Sequence, residues 1–215
     1  VSFLVFHRQL TINALRKTKN ETPHTKHSQK RPDMFSWISN AILRLWGWKI
    51  TGHYPGELDK VVVAVAPHTS NWDFPVGVLV NSAGRFHANY VGKHTIFRWP
   101  FGYFFRWLGG IPVDRSKNHN FVSAIAEAFH REKRLHLVIA PEGTRTKVER
   151  FKTGFYHIAR LAQVPICLCT FNWEKKEVFF DPVLFHTTDD EAADLAYIWN
   201  YFKGVKGANP EQGIK

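Results

Sequence analysis

Two side chains in the stretch Pro67-His68-Thr69-Ser70-Asn71-Trp72-Asp73 can do acid–base chemistry together: the imidazole of His68 and the carboxylate of Asp73. They follow an apolar run, Val61-Val62-Val63-Ala64-Val65-Ala66, that reads as a buried strand. A strand ending in a polar, helix-opening turn can hold a reactive base firmly and still expose it to a substrate. Ser70 or Asn71 is the expected N-cap, with Asp73 in the first helical turn. Pro75 is tolerated there, because the first N–H groups of a helix have no intrahelical partner. A helix N-terminus favours negative charge at Asp73. The carboxylate can then hold one imidazole nitrogen and leave the other to take a proton. An offset of five is not a helix-face spacing, so the pair works only if His68 lies on the turn, outside the helix. The plain alternative is a chance neighbour or a local cap, and the rest of the chain decides between them.

A second polar cluster, Pro141-Glu142-Gly143-Thr144-Arg145, follows a second apolar run, Leu135-His136-Leu137-Val138-Ile139-Ala140. Gly143 permits a sharp turn. Arg145 offers a planar fork suited to a phosphate, and Thr144 adds a hydroxyl. Glu142 cannot bind an anion, so it is expected to fix the loop or to orient Arg145. A third cluster, Gly109-Gly110-Ile111-Pro112-Val113-Asp114-Arg115, repeats the form: glycines, a short extended stretch, then an acid beside an arginine. Standing alone it would read as a turn with a surface ion pair.

In this order the clusters resemble the blocks of the glycerolipid acyltransferase family. His68 and Asp73 match its His-x4-Asp block, and Gly109 to Arg115 its glycine-rich turn ending in an acid and an arginine. Glu142-Gly143-Thr144-Arg145 match its third block without change, and Val164-Pro165-Ile166 open its fourth. Lys93, in Tyr90-Val91-Gly92-Lys93, stands where relatives often carry a lysine. The resemblance runs over about 61–170. There are departures. Thr146 replaces a frequent serine, Cys167-Leu168-Cys169 replace a stretch with a second proline, and Trp72 is unusual in the first block. They leave the chemistry in place and bear on the acceptor.

The resemblance implies transfer of a fatty acyl group from a thioester donor to the hydroxyl of a lysophospholipid, first of all 1-acylglycerol-3-phosphate. Another lysolipid or an amino-lipid precursor is the alternative acceptor. His68 would be the base and Asp73 its orienter. Lys93, or a backbone N–H near the first block, would stabilise the oxyanion. Lys93, Asp114, Arg115, Glu142, Gly143, Thr144 and Arg145 would form the substrate-binding set, with Arg115 and Arg145 holding the phosphate. Attack is direct, with no serine or cysteine nucleophile. Neither a cofactor nor a metal is called for; acyl-CoA or acyl carrier protein is the co-substrate. The implied location is the cytoplasmic face of a membrane, in a bacterium the inner membrane.

Composition agrees with a membrane-surface setting. The chain has 215 residues, a net charge of +11 and 15% aromatic residues, which suits anionic lipid or nucleic acid. No stretch approaches the ~18 consecutive apolar residues that span a bilayer. Residues 34–49 read as a helix with one apolar side, carrying Ile38, Ile42 and Leu45 beside Trp37 and Trp46. Such a helix either lies flat on a membrane or packs on the core. Residues 97–108 are dominated by aromatics with two arginines, and some of these rings are expected to face an acyl chain or the bilayer interface rather than the interior. A basic tract over 17–31 is expected to be mobile, and the tail over 204–215 to be loose. Cys167 and Cys169 share a strand face and read as buried, unbridged thiols. A nucleic-acid binder is the non-enzyme alternative, but the basic residues are scattered and no recognition motif is present. A metallohydrolase is disfavoured because no histidine or carboxylate cluster has ligand spacing.

Strands are expected near 61–66, 87–91, 135–140, 165–171 and 177–180. Helices are expected near 74–83, 96–108, 120–133, 153–163 and 191–202. The alternation predicts an α/β fold: a single layered domain with a mixed, largely parallel sheet covered by helices, plus an amphipathic N-terminal helix. Residues 1–33 form a basic leading segment and 34–215 the acyltransferase domain.

Overall fold

Seven strands form one sheet in the order β1-β7-β6-β2-β5-β3-β4. The computed structural model describes residues 34–100, 102–113 and 118–214. The basic tract over 17–31, Asp114 and Arg115 lie outside them, as does the side chain of Lys93. The strands are β1 (Lys49–Gly52), β2 (Lys60–Ala66), β3 (Asn89–Lys93), β4 (Gly110–Val113), β5 (Leu135–Ile139), β6 (Ile166–Asn172) and β7 (Glu177–Phe180). From β6 through β2, β5 and β3 to β4 every pairing is parallel, while β7 runs antiparallel to β6 and β1 is parallel to β7. The sheet is therefore mixed and largely parallel, as expected. The pattern of expected strands missed β4 and β1; the four residues of β1 are half-exposed or exposed and carry little apolar signal.

β2 is apolar without alternation because helices cover the sheet on both faces. Val62, Ala64 and Ala66 point to one side, into a core with Phe129 of α4 (Asn118–Arg131), Ile158 of α5 (Gly154–Ala162) and Phe202 of α6 (Glu191–Phe202). Val61 and Val63 point to the other, against Leu43 of α1 (Met34–Trp46) and Val76 and Val80 of α2 (Asp73–Gly84). The period of two along a strand divides the residues between the two cores. Cys167 and Cys169 share the second core as free, buried thiols.

The helix expected over 96–108 is broken. His94–Phe97 form a 3-10 turn and α3 spans Gly102–Trp107. Pro100 cannot continue a helix, and Gly102 approaches the Phe97 carbonyl so closely that a Cβ there would lie 2.0 Å from its oxygen. Trp99, Tyr103, Phe104 and Trp107 are exposed, in agreement with rings that face outward.

α1 packs the opposite way round from an ordinary surface helix. Ser36, Ser39 and Leu43 are its buried residues, whereas Trp37 is 66% and Leu45 90% exposed, and Met34, Phe35, Ile38 and Ile42 are exposed as well. The small serines let α1 lie close to α2, where Ser36 Oγ donates to the Ala83 carbonyl at 3.1 Å and Asn40 Nδ2 to the same oxygen at 3.2 Å. Among the described residues no helix is long and apolar enough to cross a membrane.

The tail over 204–215 was expected to be loose, and the described part of it is held. Gly204 N–H donates to the Ile214 carbonyl, Ile214 is buried in the core beside α6, and Pro210–Gln212 form a 3-10 turn. One apolar residue near the end of a polar stretch is enough to anchor it.

Candidate active site

The parallel strands β2, β5 and β6 end at one edge of the sheet, and each hands a loop to the site. Ala66 of β2 is level with Thr170 of β6, and Ala64 with Ile139 of β5. His68 lies two residues past the end of β2, Glu142 three past the end of β5, and Trp173 follows β6 directly. Loops at the carboxyl ends of parallel strands are the usual place for ligands in such sheets.

Asp73 is the first residue of α2 and is 7% exposed. Its Oδ2 accepts from His68 Nδ1 and from the backbone N–H groups of Thr69 and Ser70, each at 2.9 Å. Its Oδ1 accepts from Trp173 Nε1 at 2.7 Å. Neither Ser70 nor Asn71, the expected N-caps, occupies that position. Trp72 takes the N-cap position without a side-chain bond, and Ser70 Oγ accepts the Trp72 N–H at 3.2 Å. Asp73 folds the turn instead, because a carboxylate satisfies three donors of the loop at one oxygen. With Nδ1 donating to Asp73, His68 presents Nε2 as an acceptor. That nitrogen has no partner among the described residues, and the ring is 29% exposed.

Glu142 holds the same histidine from the other side. Its Oε2 accepts the His68 backbone N–H at 2.7 Å, and the side chain is 2% exposed. It ties the Glu142 loop to the His68 turn, and among the described residues no hydrogen bond joins it to Arg145. Burial pushes its carboxyl up to about 7, while the bond from the His68 N–H works in the opposite direction. Gly143 turns with φ +65, and a Cβ there would lie 2.9 Å from Lys152 Cδ. Arg145 Nη1 donates to Asn71 Oδ1, which brings the guanidinium to the first block. Thr144 pairs with Thr146 through their hydroxyls at 3.1 Å. Lys93 ends β3, a parallel neighbour of β5.

Three contributors were invisible in the sequence reading. Trp173 reaches Asp73 from 100 positions away. Asn209 donates its N–H to Thr69 Oγ1 at 3.1 Å and its side-chain amide to the Thr69 carbonyl at 2.6 Å. Gly207 lies against Thr69 so closely that a Cβ would be 2.4 Å from Oγ1. The signal that could have found Trp173 is its place just past a strand that neighbours β2 in the sheet; Asn209 had none. A separate open groove of about 570 Å³ runs along α1, lined by Ser36, Trp37, Asn40, Ala41, Arg44 and Leu45. Its lining includes no acid or histidine.

An α/β sheet with a histidine–aspartate pair at the carboxyl edge of its strands, and an arginine loop beside it, is suited to activating a hydroxyl. The sequence profile of the Acyltransferase family matches residues 49–172, and the chain belongs to that family. A 1-acyl-sn-glycerol-3-phosphate acyltransferase of Salmonella typhimurium is 28% identical over 152 residues, 66% of this chain and 60% of that protein. The enzyme of the same name from Haemophilus influenzae is 30% identical over 175 residues, 71% of each. The crystal structure of the 1-acyl-sn-glycerophosphate acyltransferase from Thermotoga maritima shares the fold, with a TM-score of 0.54 at 15% identity over 91% of this chain and 85% of that one.

Proposed function

We propose that the chain transfers a fatty acyl group from a thioester to the free hydroxyl of a lysophospholipid, with 1-acylglycerol-3-phosphate as the first candidate. The observation that carries this is the His68–Asp73 bond with Nε2 left open. Nε2 removes the hydroxyl proton as the oxygen attacks the thioester carbonyl, an effect worth about 10²–10⁴-fold. The C–O bond forms, the C–S bond breaks, and the leaving thiolate takes the proton back from the imidazolium. Cys167 and Cys169 are sealed in the core, and burial pushes the Cys167 thiol up to about 12. This favours direct attack without an acyl-enzyme. Arg145 beside Asn71 holds the phosphate, with Arg115 as its expected partner. Lys93 and Asp114 keep the roles that the family resemblance implies. The names of the similar bacterial enzymes support the acceptor and a role in phospholipid synthesis.

The surface reading is a monotopic or peripheral attachment to the cytoplasmic face of a membrane. It is supported by the outward apolar face of α1 and the exposed rings of α3, joined by an edge-on contact of Phe35 and Trp107 at 5.7 Å. The net charge of +11 adds attraction to anionic lipid.

The test is an acyl-transfer assay with acyl-CoA and acyl carrier protein donors over a panel of lysolipids. His68→Ala is expected to lose at least about 10²-fold in kcat while its melting curve is unchanged. Substantial turnover in that variant removes His68 from the base role. Arg145→Ala is expected to raise KM for phosphorylated acceptors by about tenfold or more and to spare unphosphorylated ones. An unchanged KM rejects the phosphate contact.

A further inference from the structure

We infer that Trp173 is a positioning residue of the reaction: its indole N–H fixes the Asp73 carboxylate in the one orientation that aims His68. This rests on the reading of His68 as the base. Asp73 Oδ2 serves the His68 ring and two backbone N–H groups at once, and those three bonds share one rotation of the carboxylate about its Cβ–Cγ bond. Oδ1 is the only other handle on that rotation, and among the described residues Trp173 Nε1 alone holds it, at 2.7 Å. An indole is donor-only, so this contact has one polarity and cannot compete for the histidine proton.

Trp173 is itself held rigidly enough to aim a bond. Its backbone N–H donates to the Lys206 carbonyl at 2.8 Å, and its carbonyl accepts from the Lys176 N–H in the turn between β6 and β7. Its ring stands edge-on to the rings of Trp46 and Trp48, both at 88°, with centroids 6.3 and 5.0 Å away. Trp48 is buried, and Trp46 closes the end of α1 with its carbonyl bonded by Lys176 Nζ at 2.9 Å. Two perpendicular rings and a turn leave the indole one orientation, and in it the N–H points at Asp73. A tryptophan present only to fill space would have no need to direct its N–H at the carboxylate that holds the base.

The experiment is a double-mutant cycle in the full chain, with the donor and acceptor that the unmodified protein turns over. Trp173→Phe keeps an aromatic ring and removes the donor. It is expected to lower kcat by about tenfold, the size of one hydrogen bond to a charged group, with both KM values within about twofold. In an Asp73→Asn background the same change is expected to cost less than about twofold, because its route to the histidine is already broken. A wild-type kcat in Trp173→Phe, or an equal loss in the Asp73→Asn background, overturns the proposal. So does a loss confined to KM. Should Trp173→Phe fail to fold, the indole N–H resonance of Trp173 decides. It is expected to move upfield in Asp73→Asn, and an unmoved signal sinks the idea. His68→Ala run alongside separates the two levels. Activity in that variant removes the base and this inference with it, whereas an inactive His68→Ala beside a fully active Trp173→Phe leaves the base standing and rejects the role of Trp173.

Discussion

Glu142 and Asp73 are both buried acids beside one histidine, yet they do different work. Asp73 meets donors at both oxygens and sits at a helix N-terminus, where it ties the turn together. Glu142 holds the His68 backbone N–H from a desolvated position, and its carboxyl titrates near neutrality for that reason. The sign of its effect on stability follows. Below its ordinary value of 4.5 the group is protonated whether the chain is folded or not. Between 4.5 and about 7 only the unfolded chain ionises, so stability falls as pH rises, and above 7 the full penalty is present. Glu142→Gln keeps a carbonyl for the His68 N–H and removes the charge. It should melt higher than the parent at pH 8, by up to about 3 kcal/mol, and match it at pH 4.5. Thermal melts at the two pH values check this. An unchanged melting point at pH 8 would show that the buried charge is neutralised in some other way.

Among the elements, α1 carries the most unusual packing. Its spacing of Ile38, Ile42 and Leu45 announced an amphipathic helix, but not which side would be covered. The inward face is Ser36, Ser39 and Leu43, and the wide apolar face is left outside. A helix of this kind gains little from water and much from a lipid interface. Replacing Ile42 and Leu45 by glutamate together should abolish co-sedimentation with anionic vesicles. The melting temperature should stay within a few degrees, since neither side chain is buried. Undiminished vesicle binding would remove α1 from the membrane contact. The 97–108 stretch shows the same division of knowledge. Its aromatic richness was plain, and the break at Pro100 follows from proline chemistry. The expectation of one continuous helix overlooked that breaker.

For the whole molecule, the turn that carries His68 and Asp73 is a place where distant parts of the chain meet. The tail bonds Thr69 through Asn209 and Trp173 through Lys206, so it braces both sides of the first block. A methyl added at Gly207 forces Thr69, the neighbour of His68, to move. Gly207→Ala should cost about 1–3 kcal/mol of stability and lower kcat by about tenfold, with acceptor KM unchanged. Denaturant melts with steady-state kinetics check this, and a fully active variant would show that the tail does not position the turn.

The sequence by itself determined the local chemistry: the histidine and its aspartate, the Glu142–Arg145 loop, five of the seven strands, and the alternation that makes an α/β sheet. These are legible because each depends on residues a few positions apart, where backbone geometry fixes what can touch what. Only the tertiary structure decided that Glu142 grips the His68 backbone, that Trp173 faces Asp73, that Asn209 holds Thr69, and that α1 turns its serines inward. Those contacts depend on which strands become neighbours and how closely two helices approach. Strand order and helix approach are set by burial over the entire chain, so no short window of residues contains them.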